Sequence, residues 1–432
     1  PTNNPFSSSN NFPSSVTFFE ERLVFAGTNN DPQKLFFSKS GDFENMTTGT
    51  NATDGMTFTI GSDQVNAIKY IKGLRTLLIG TTGGEFVATA SSSAEPITPT
   101  NIQIKRQAGY GTSDVDALLA GNRVLFVQRA GKKVRELVFD FNSDGYVAPD
   151  LTILAEHIGG SGVGTGFTNW TYQQEPDSIV WVVRSDGVLT GMTYQRSENV
   201  VAWHRHILGG AFGNGIAEVE SVAAISNTVT SSRGEDTLYM IVKRTINGST
   251  VRYIEYLQPF DFGSNIEDAW FLDSGLVYSG SATTTLSGLS HLEGQTVSIL
   301  ANGSTHADKV VSSGAISLDR SVTKAIVGLK YTSKLQTMRI ESGSADGSAQ
   351  GKVKRIQEIT ARFFETVGAE IGSNSTQTDL IPFRDSSMPM DQAVKLFSGD
   401  KQIEFNSDYE TDGFVYIQQE QPLPMTITAM LP

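Results

Sequence analysis

The sequence predicts an all-β protein, a β-propeller with additional small β domains toward the C-terminus. Three observations carry this. A strand–turn–strand pattern recurs through the first 260 residues, Gly, Asn and Asp mark its turns, and no long helical periodicity interrupts it. Residues 177–194, DSIVWVVRSDGVLTGMTY, show the pattern most clearly. Side chains alternate along a strand, so Ile179, Trp181 and Val183 share one face while Val180 and Val182 share the other. Both faces are apolar, which predicts a strand covered on both sides. Arg184-Ser185-Asp186-Gly187 supplies the turn, with Gly187 free to take positive φ, and Val188, Met192 and Tyr194 return.

The same unit recurs. Arg22 to Phe25 returns as Leu35 to Phe37, Arg75 to Ile79 as Phe86-Val87, Arg123 to Val127 as Val134 to Phe139, and Asp236 to Val242 as Val251 to Leu257. Aligned on positions 22, 75, 123, 178 and 237, the steps are 53, 48, 55 and 59 residues. A mostly-strand repeat of this length predicts propeller blades. Preceding strands are expected at Val65 to Ile71, Val115 to Leu118, Phe167 to Tyr172 and Glu218 to Ala224.

Four segments follow. Residues 1–15, rich in Asn, Ser and Pro, predict an extended linker, and residues 16–264 carry the blades. Within them, Gly159 to Gly166 and Gly209 to Gly215 predict glycine-rich loops, and residues 225–235 a polar insertion. Residues 265–345 predict a small β module with short strands at Gly275 to Tyr278, Thr296 to Leu300, Ala315 to Leu318 and Ala325 to Val327. Residues 346–432 predict a C-terminal β segment, with strands at Arg355 to Phe364, Gln402 to Phe405, Phe414 to Gln418 and Thr426 to Met430. This segment either forms a further β domain or completes the propeller.

Composition bounds the chemistry. Of 432 residues, 42 are Gly and 18% are charged, as expected for a turn-rich β protein long enough for two or three domains. The absence of cysteine excludes disulfides, thiolate metal sites and cysteine nucleophiles. A net charge of −13 argues against a nucleic-acid binder that neutralises phosphates, while suiting a surface past which DNA slides without sticking. No apolar run is long enough to span a membrane, and the polar opening predicts no secretory leader. In that setting the Asn169-Trp170-Thr171 sequon carries no weight. A chain starting at Pro1 inside a polar linker is expected either to lack preceding sequence or to have lost its Met.

Several clusters have chemistry to weigh. Asp140-Phe141-Asn142-Ser143-Asp144-Gly145 matches half of a calcium loop, but its twelfth position is Leu151, beside Asp150. A tight turn is the expected outcome. His204 and His206 share a strand face, as a metal-binding pair would, without a third ligand nearby in sequence. Ser290, His291 and Glu293 offer acid and base without a nucleophile or oxyanion site. Glu175 with Asp177, and Glu235 with Asp236, lie in turns. No elbow, phosphate loop or zinc-protease motif is present. No catalytic, cofactor-binding or metal residue is assigned, and no enzyme activity is expected.

Residues 12–46 (FPSSVTFFEERLVFAGTNNDPQKLFFSKSGDFENM) resemble the start of the propeller in the tail tubular protein B, or nozzle, family of short-tailed bacteriophages. Residues 171–194, 199–210 (NVVAWHRHILGG), 236–257 (DTLYMIVKRTINGSTVRYIEYL), 288–303 (GLSHLEGQTVSILANG) and 417–430 (IQQEQPLPMTITAM) are similar to the same family. The resemblance implies a structural protein of the virion tail, made in the host cytoplasm, without catalytic residues or cofactor. It implies a homo-oligomeric ring of roughly six copies with heterologous interfaces. The ring would sit below the portal and adaptor, surround the DNA ejection channel, and carry tail fibres or spikes. Family members usually have a long N-terminal region that docks onto the adaptor, and this chain has no counterpart of it ahead of the linker.

Two other classes remain open. A receptor- or carbohydrate-binding tail propeller needs an exposed aromatic platform, whereas Trp170, Trp181, Trp203 and Trp270 read as core. A polysaccharide-degrading propeller needs two acids converging in one pocket.

Overall fold

The computed structural model describes residues 6, 11–61, 65–92, 95–160, 162, 164–226, 234–341 and 347–431. Most of the expected linker 1–15 and of the polar insertion 225–235 lies outside them. The protein is all-β. The helical elements among the described residues are short 3-10 turns at Glu156–Gly159, Arg196–Glu198, Ile266–Asp268 and Ser290–Leu292. The chain divides into two compact units, Pro1–His206 with Val219–Ile241, and Ile207–Glu218 with Val242–Pro432.

The first unit is built from consecutive antiparallel meanders of four strands, the form of propeller blades. The first sheet runs Ser15–Phe19, Arg22–Ala26, Lys34–Phe37 and Met56–Thr59. The second runs Ile68–Gly73, Leu77–Thr81, Gly84–Thr89 and Gln103–Ala108. The third runs Leu118–Ala120, Arg123–Val127, Val134–Asp140 and Gly145–Val147. The fourth runs Phe167–Gln173, Ile179–Arg184, Leu189–Gln195 and Val200–His206. A fifth, three-stranded sheet of Glu218–Ser226, Asp236–Ile246 and Ser249–Tyr256 contains the points where the chain passes between the units. The hairpins expected from the repeat are the second and third strands of these five sheets.

Each central strand serves two interfaces. In the second sheet, Leu77 and Ile79 pack with Leu35 and Phe37 of the first, while Leu78 packs with Phe126 of the third. In the third sheet, Val124 and Phe126 face the second, while Leu125 and Val127 pack with Val180 and Val182 of the fourth. Trp181 and Val183 occupy the opposite face of the fourth sheet, also buried, as the alternation predicts. Gly187 closes the adjoining turn at φ 77°, its amide donating to the Arg184 carbonyl.

Hydrogen bonds tie the first strands of neighbouring sheets, or residues just ahead of them. Ser15 Oγ accepts from Ile71 N across 56 residues, Asp116 O from the Trp170 indole across 54, and Asn169 Oδ1 from Val222 N across 53. These separations are the sequence repeat expressed as contacts.

In the second unit, Asp273–Ser287, Ala315–Leu329, Thr296–Ala301 and Ser304–Val310 form one sheet in that spatial order. The short strands expected at 275–278, 315–318 and 325–327 are parts of two 15-residue strands. Register shifts near Ser279 and Thr283 break their alternation, so the sequence reads as fragments. Downstream, two sheets enclose a common core in which Ile359, Ala361 and Phe363 meet Ile371 and Ile417. One sheet orders Ser333–Gln336, Tyr416–Gln419, Glu370–Asn374 and Gln377–Leu380; the other orders Phe397–Glu404, Glu358–Thr366 and Ile427–Leu431. Ser333–Gln336, within the 265–345 segment, therefore belongs to the same sheet as strands of the C-terminal segment.

Close packing leaves no room at Gly80, where a Cβ would lie 2.0 Å from the ring of fully buried Tyr70. Gly80→Ala is expected to cost about 1–3 kcal/mol by overpacking. In urea unfolding, a Tyr70→Ala background should remove most of that penalty; equal penalties in both backgrounds would refute the assignment.

Candidate functional site

The residues singled out in the sequence fall at separate places. Asp140–Gly145 closes a hairpin, with Asp140 paired to Gly145 across the ladder. The Asp140 carboxylate accepts from Ser143 N at 3.1 Å and Asn142 N at 3.4 Å. Hydrogen bonding with the Ser143 side chain first, and then with these two amides, holds its pKa below the ordinary value. Asp150 is engaged by Lys133 and Thr152, and Leu151 is core. The six residues thus form a tight turn whose leading acid points back at its own backbone. No group of three or more metal-ligating side chains occurs among the described residues.

His204 and His206 do come together, with Nδ1 of one 2.6 Å from Nε2 of the other. They sit on the buried Trp181 face, their rings 5.8 and 5.0 Å from the indole. Gly191 makes the space, since a Cβ there would meet the His204 ring at 2.1 Å. Burial lowers the pKa of both, and the neighbouring His204 helps bring His206 down to about 4. A neutral pair sharing one proton is the consequence. Beside it the Trp181 indole donates to Gln173 Oε1, and the Gln173 amide donates to the Asp236 carbonyl.

The other groups are structural. His291 Nε2 lies 2.9 Å from the Ser274 carbonyl oxygen, and Glu293 accepts from the amides of Ser313 and Gly314. Asp236 accepts from the amides of Gln174 and Glu175, so the acid-rich turns meet through backbone rather than as a carboxylate pair. Trp170, Trp203 and Trp270 donate their indole N–H to the carbonyls of Asp116, Leu151 and Leu272. Trp170 and Trp181 are buried, whereas Trp203 and Trp270 are half-buried. Exposed aromatic surface comes instead from phenylalanines such as Phe18, paired with Phe43, and Phe141, which is 91% exposed and paired with Phe139.

Two cavities lie between the third and fourth sheets. One, of about 510 Å³, is lined by Gly131, Lys132, Gly164, Thr165, Gly166 and Ser185. It uses the loop expected at 159–166, in which the described residues are tied down: Lys132 and Thr165 donate to the Gly162 carbonyl, and Ser185 to that of Gly164. The other, of about 480 Å³, is lined by Asn122, Arg123, Tyr172, Ser178, Tyr194 and Arg196, among others. Glu136, wholly buried, pairs with both arginines. The Tyr194 hydroxyl is buried beside it, which raises its pKa through burial first and the carboxylate second. Residues from several separate turns and strands converge here, and nothing local in the sequence announces them.

In the second unit, the loop expected at 209–215 is gripped by a charged cluster. Arg244, with no exposed surface, forms a bidentate pair with Glu255 and donates Nε to the Gly209 carbonyl at 2.8 Å. The Asp273 carboxylate accepts from Gly209 N at 2.7 Å. Burial raises the Asp273 pKa to about 6, against the opposing pull of the Gly209 amide and Arg244.

No protein family matches the chain by sequence, and no curated relative does. Among solved structures, it is similar to an auxiliary nutrient binding protein from Bacteroides thetaiotaomicron, with 10% identity and a TM-score of 0.33. That match covers 74% of this chain, which spans 64% of the other. It is also similar to an exo-beta-1,3-galactanase from Phanerochaete chrysosporium, with 9% identity, a TM-score of 0.27, and 98% and 96% of the two chains covered. The N-terminal domain of Nup159 shows 12% identity and a TM-score of 0.27 over 95% of this chain and 89% of its own. Likeness of this size says nothing about chemistry.

The Asp273 shift sets a pH dependence. Its folded-state pKa lies above the ordinary 3.8, so its stabilising contribution is complete below that value and lost as pH rises through about 6. Asp273→Asn should be more stable than the parent by about 3 kcal/mol at pH 7, the difference vanishing near pH 4. Urea unfolding at the two pH values checks this, and a pH-independent difference would overturn it.

Proposed function

We propose that the chain is a structural component of a short bacteriophage tail, a nozzle subunit that assembles with copies of itself into a ring around the path of the exiting genome. The observation that carries this is the set of segments at 12–46, 171–194, 199–210, 236–257, 288–303 and 417–430, which resemble the nozzle family along nearly the whole chain. Three physical features support it. Sheets packed through both faces make a stiff wall. A net charge of −13 repels DNA that passes without being bound. Neither cavity between the third and fourth sheets brings two carboxylates to its wall, so glycoside hydrolysis has no site there. In this reading the adaptor ring and the tail fibres or spikes are the partners, and the protein acts as a passive conduit.

A second reading, a carbohydrate- or receptor-binding tail propeller, is favoured by one observation: the cavity holding Arg123, Arg196, Tyr172 and Tyr194.

Light scattering of the purified chain, with negative-stain images, tests the conduit. The expected species is a closed ring of roughly six copies with a central hole. A monomer at every concentration, with or without the adaptor, would refute it.

A further inference from the structure

The interface between the second and third sheets is mainly apolar, with Leu78 and Val87 meeting Val124, Phe126 and Leu137. At one place it gathers polar side chains instead. Residues paired across antiparallel strands share a face. Gly80 pairs with Tyr70 on one side and Glu85 on the other, so the three lie in a row facing the third sheet. From the third sheet, Gln128 follows Phe126 on the facing side, and Thr112 pairs with Gln128. Tyr70 and Glu85 have no exposed surface, and Thr112 has 1%. The Tyr70 hydroxyl, Glu85 Oε1 and Thr112 Oγ1 are all buried without a hydrogen-bond partner on the protein.

These three atoms converge. The Tyr70 ring lies across Gly80, where a Cβ would be 2.0 Å from Cε1 and 2.5 Å from Cζ. Its hydroxyl end therefore crosses the second strand of the sheet toward Glu85 on the third. After burial, the Glu85 charge is the next influence raising the Tyr70 pKa. The other carboxylate oxygen, Glu85 Oε2, accepts from Tyr110 N at 3.3 Å, and the Gly111 amide also bonds this carboxylate. Thr112 comes next in the chain, its amide donating to the carbonyl of Thr81, the neighbour of Gly80, at 2.8 Å.

The chemistry of the three atoms selects a ligand. Both hydroxyls can donate and accept, while an ionised carboxylate oxygen only accepts. A water molecule can donate to Glu85 Oε1, accept from the Tyr70 hydroxyl and take a third bond to Thr112 Oγ1, the usual number for a buried water. A metal ion fits poorly. The site offers one carboxylate, already bonded by two amides and attracted by the Arg135 guanidinium. Arg135 is itself fixed, donating to Gln128 Oε1 and the Ala148 carbonyl and lying 3.6 Å from the Tyr110 ring centroid.

We propose that Tyr70, Glu85 and Thr112 bind one ordered water molecule inside the interface of the second and third sheets. The water fastens the connection at 110–112, which leads from one sheet to the next, to the face of the sheet it leaves. This site is independent of the conduit reading and of the ring.

Thermal unfolding of Tyr70→Phe, Thr112→Val and the double variant tests it, since each change deletes a hydroxyl group and keeps the shape of the side chain. Each single variant is expected to melt about 3 °C lower than the parent. The double variant should fall by clearly less than the sum, because both changes release the same water. A rise in Tm for either single variant would overturn the proposal, as it would show that the hydroxyl is buried at a cost and bonded to nothing. Fully additive losses would overturn a shared molecule. A crystal structure of the parent chain is expected to show one density peak about 2.7–3.2 Å from all three oxygens. A peak at about 2.0–2.5 Å would assign the site to a metal ion, and a direct bond from Tyr70 to Glu85 would remove the need for any ligand.

Discussion

Burial of the second, third and fourth sheets on both faces is the constraint on which the first unit depends. A strand alternates its side chains, so one residue step moves a side chain from one intersheet core to the next. Leu77, Leu78 and Ile79 are each committed to a particular neighbour, and a slip of one residue would exchange two cores at once. A polar group in such an interior costs stability unless it is partnered, and while the Tyr70 hydroxyl finds no partner on the protein, others do. Glu136 is held between two arginines, the Trp181 indole is met by Gln173, and His204 is met by His206. In the second unit, Arg244 and Glu255 obey the same rule.

The same constraint explains what the sequence makes visible. Central hairpins stand out because double burial leaves near-continuous apolar runs, as in RVLFV and IVWVVR. Outer strands are quiet. Gln103–Ala108 reads QIKRQA and is half in water, and Gly145–Val147 is three residues long. In the second unit the bulged 15-residue strands break their own period. Trp170 and Trp181 lie in the core as expected, Trp203 and Trp270 are only half-buried, and the histidine pair shares a face as its spacing requires. What could not be read is convergence. Arg123 and Arg196 are far apart in sequence, and only the stacking of two sheets, with Glu136 buried between, sets them together.

The two cavities between the third and fourth sheets show how one interface presents different surfaces at its ends. At one end, glycines and backbone carbonyls absorb Lys132 and Thr165 into loop structure. At the other, buried Glu136 pairs with two arginines, and Glu198 lines the same cavity. The chemistry of an end follows from which turns gather there, while the packing between the ends stays apolar.

The order of pairing has a consequence for how the chain folds. In each four-stranded meander of the first unit, every strand pairs with its neighbour in sequence. Each pairing closes only the loop between successive strands, so a meander can form as soon as its own residues leave the ribosome. The C-terminal sheets behave differently, because Ser333–Gln336 pairs with Tyr416–Gln419, and Glu358–Thr366 with Ile427–Leu431. Their ladders cannot close until the last strand has been synthesised. Within one chain, the first unit's meanders can mature progressively from their N-terminal end, while the C-terminal pair of sheets waits for the final residues.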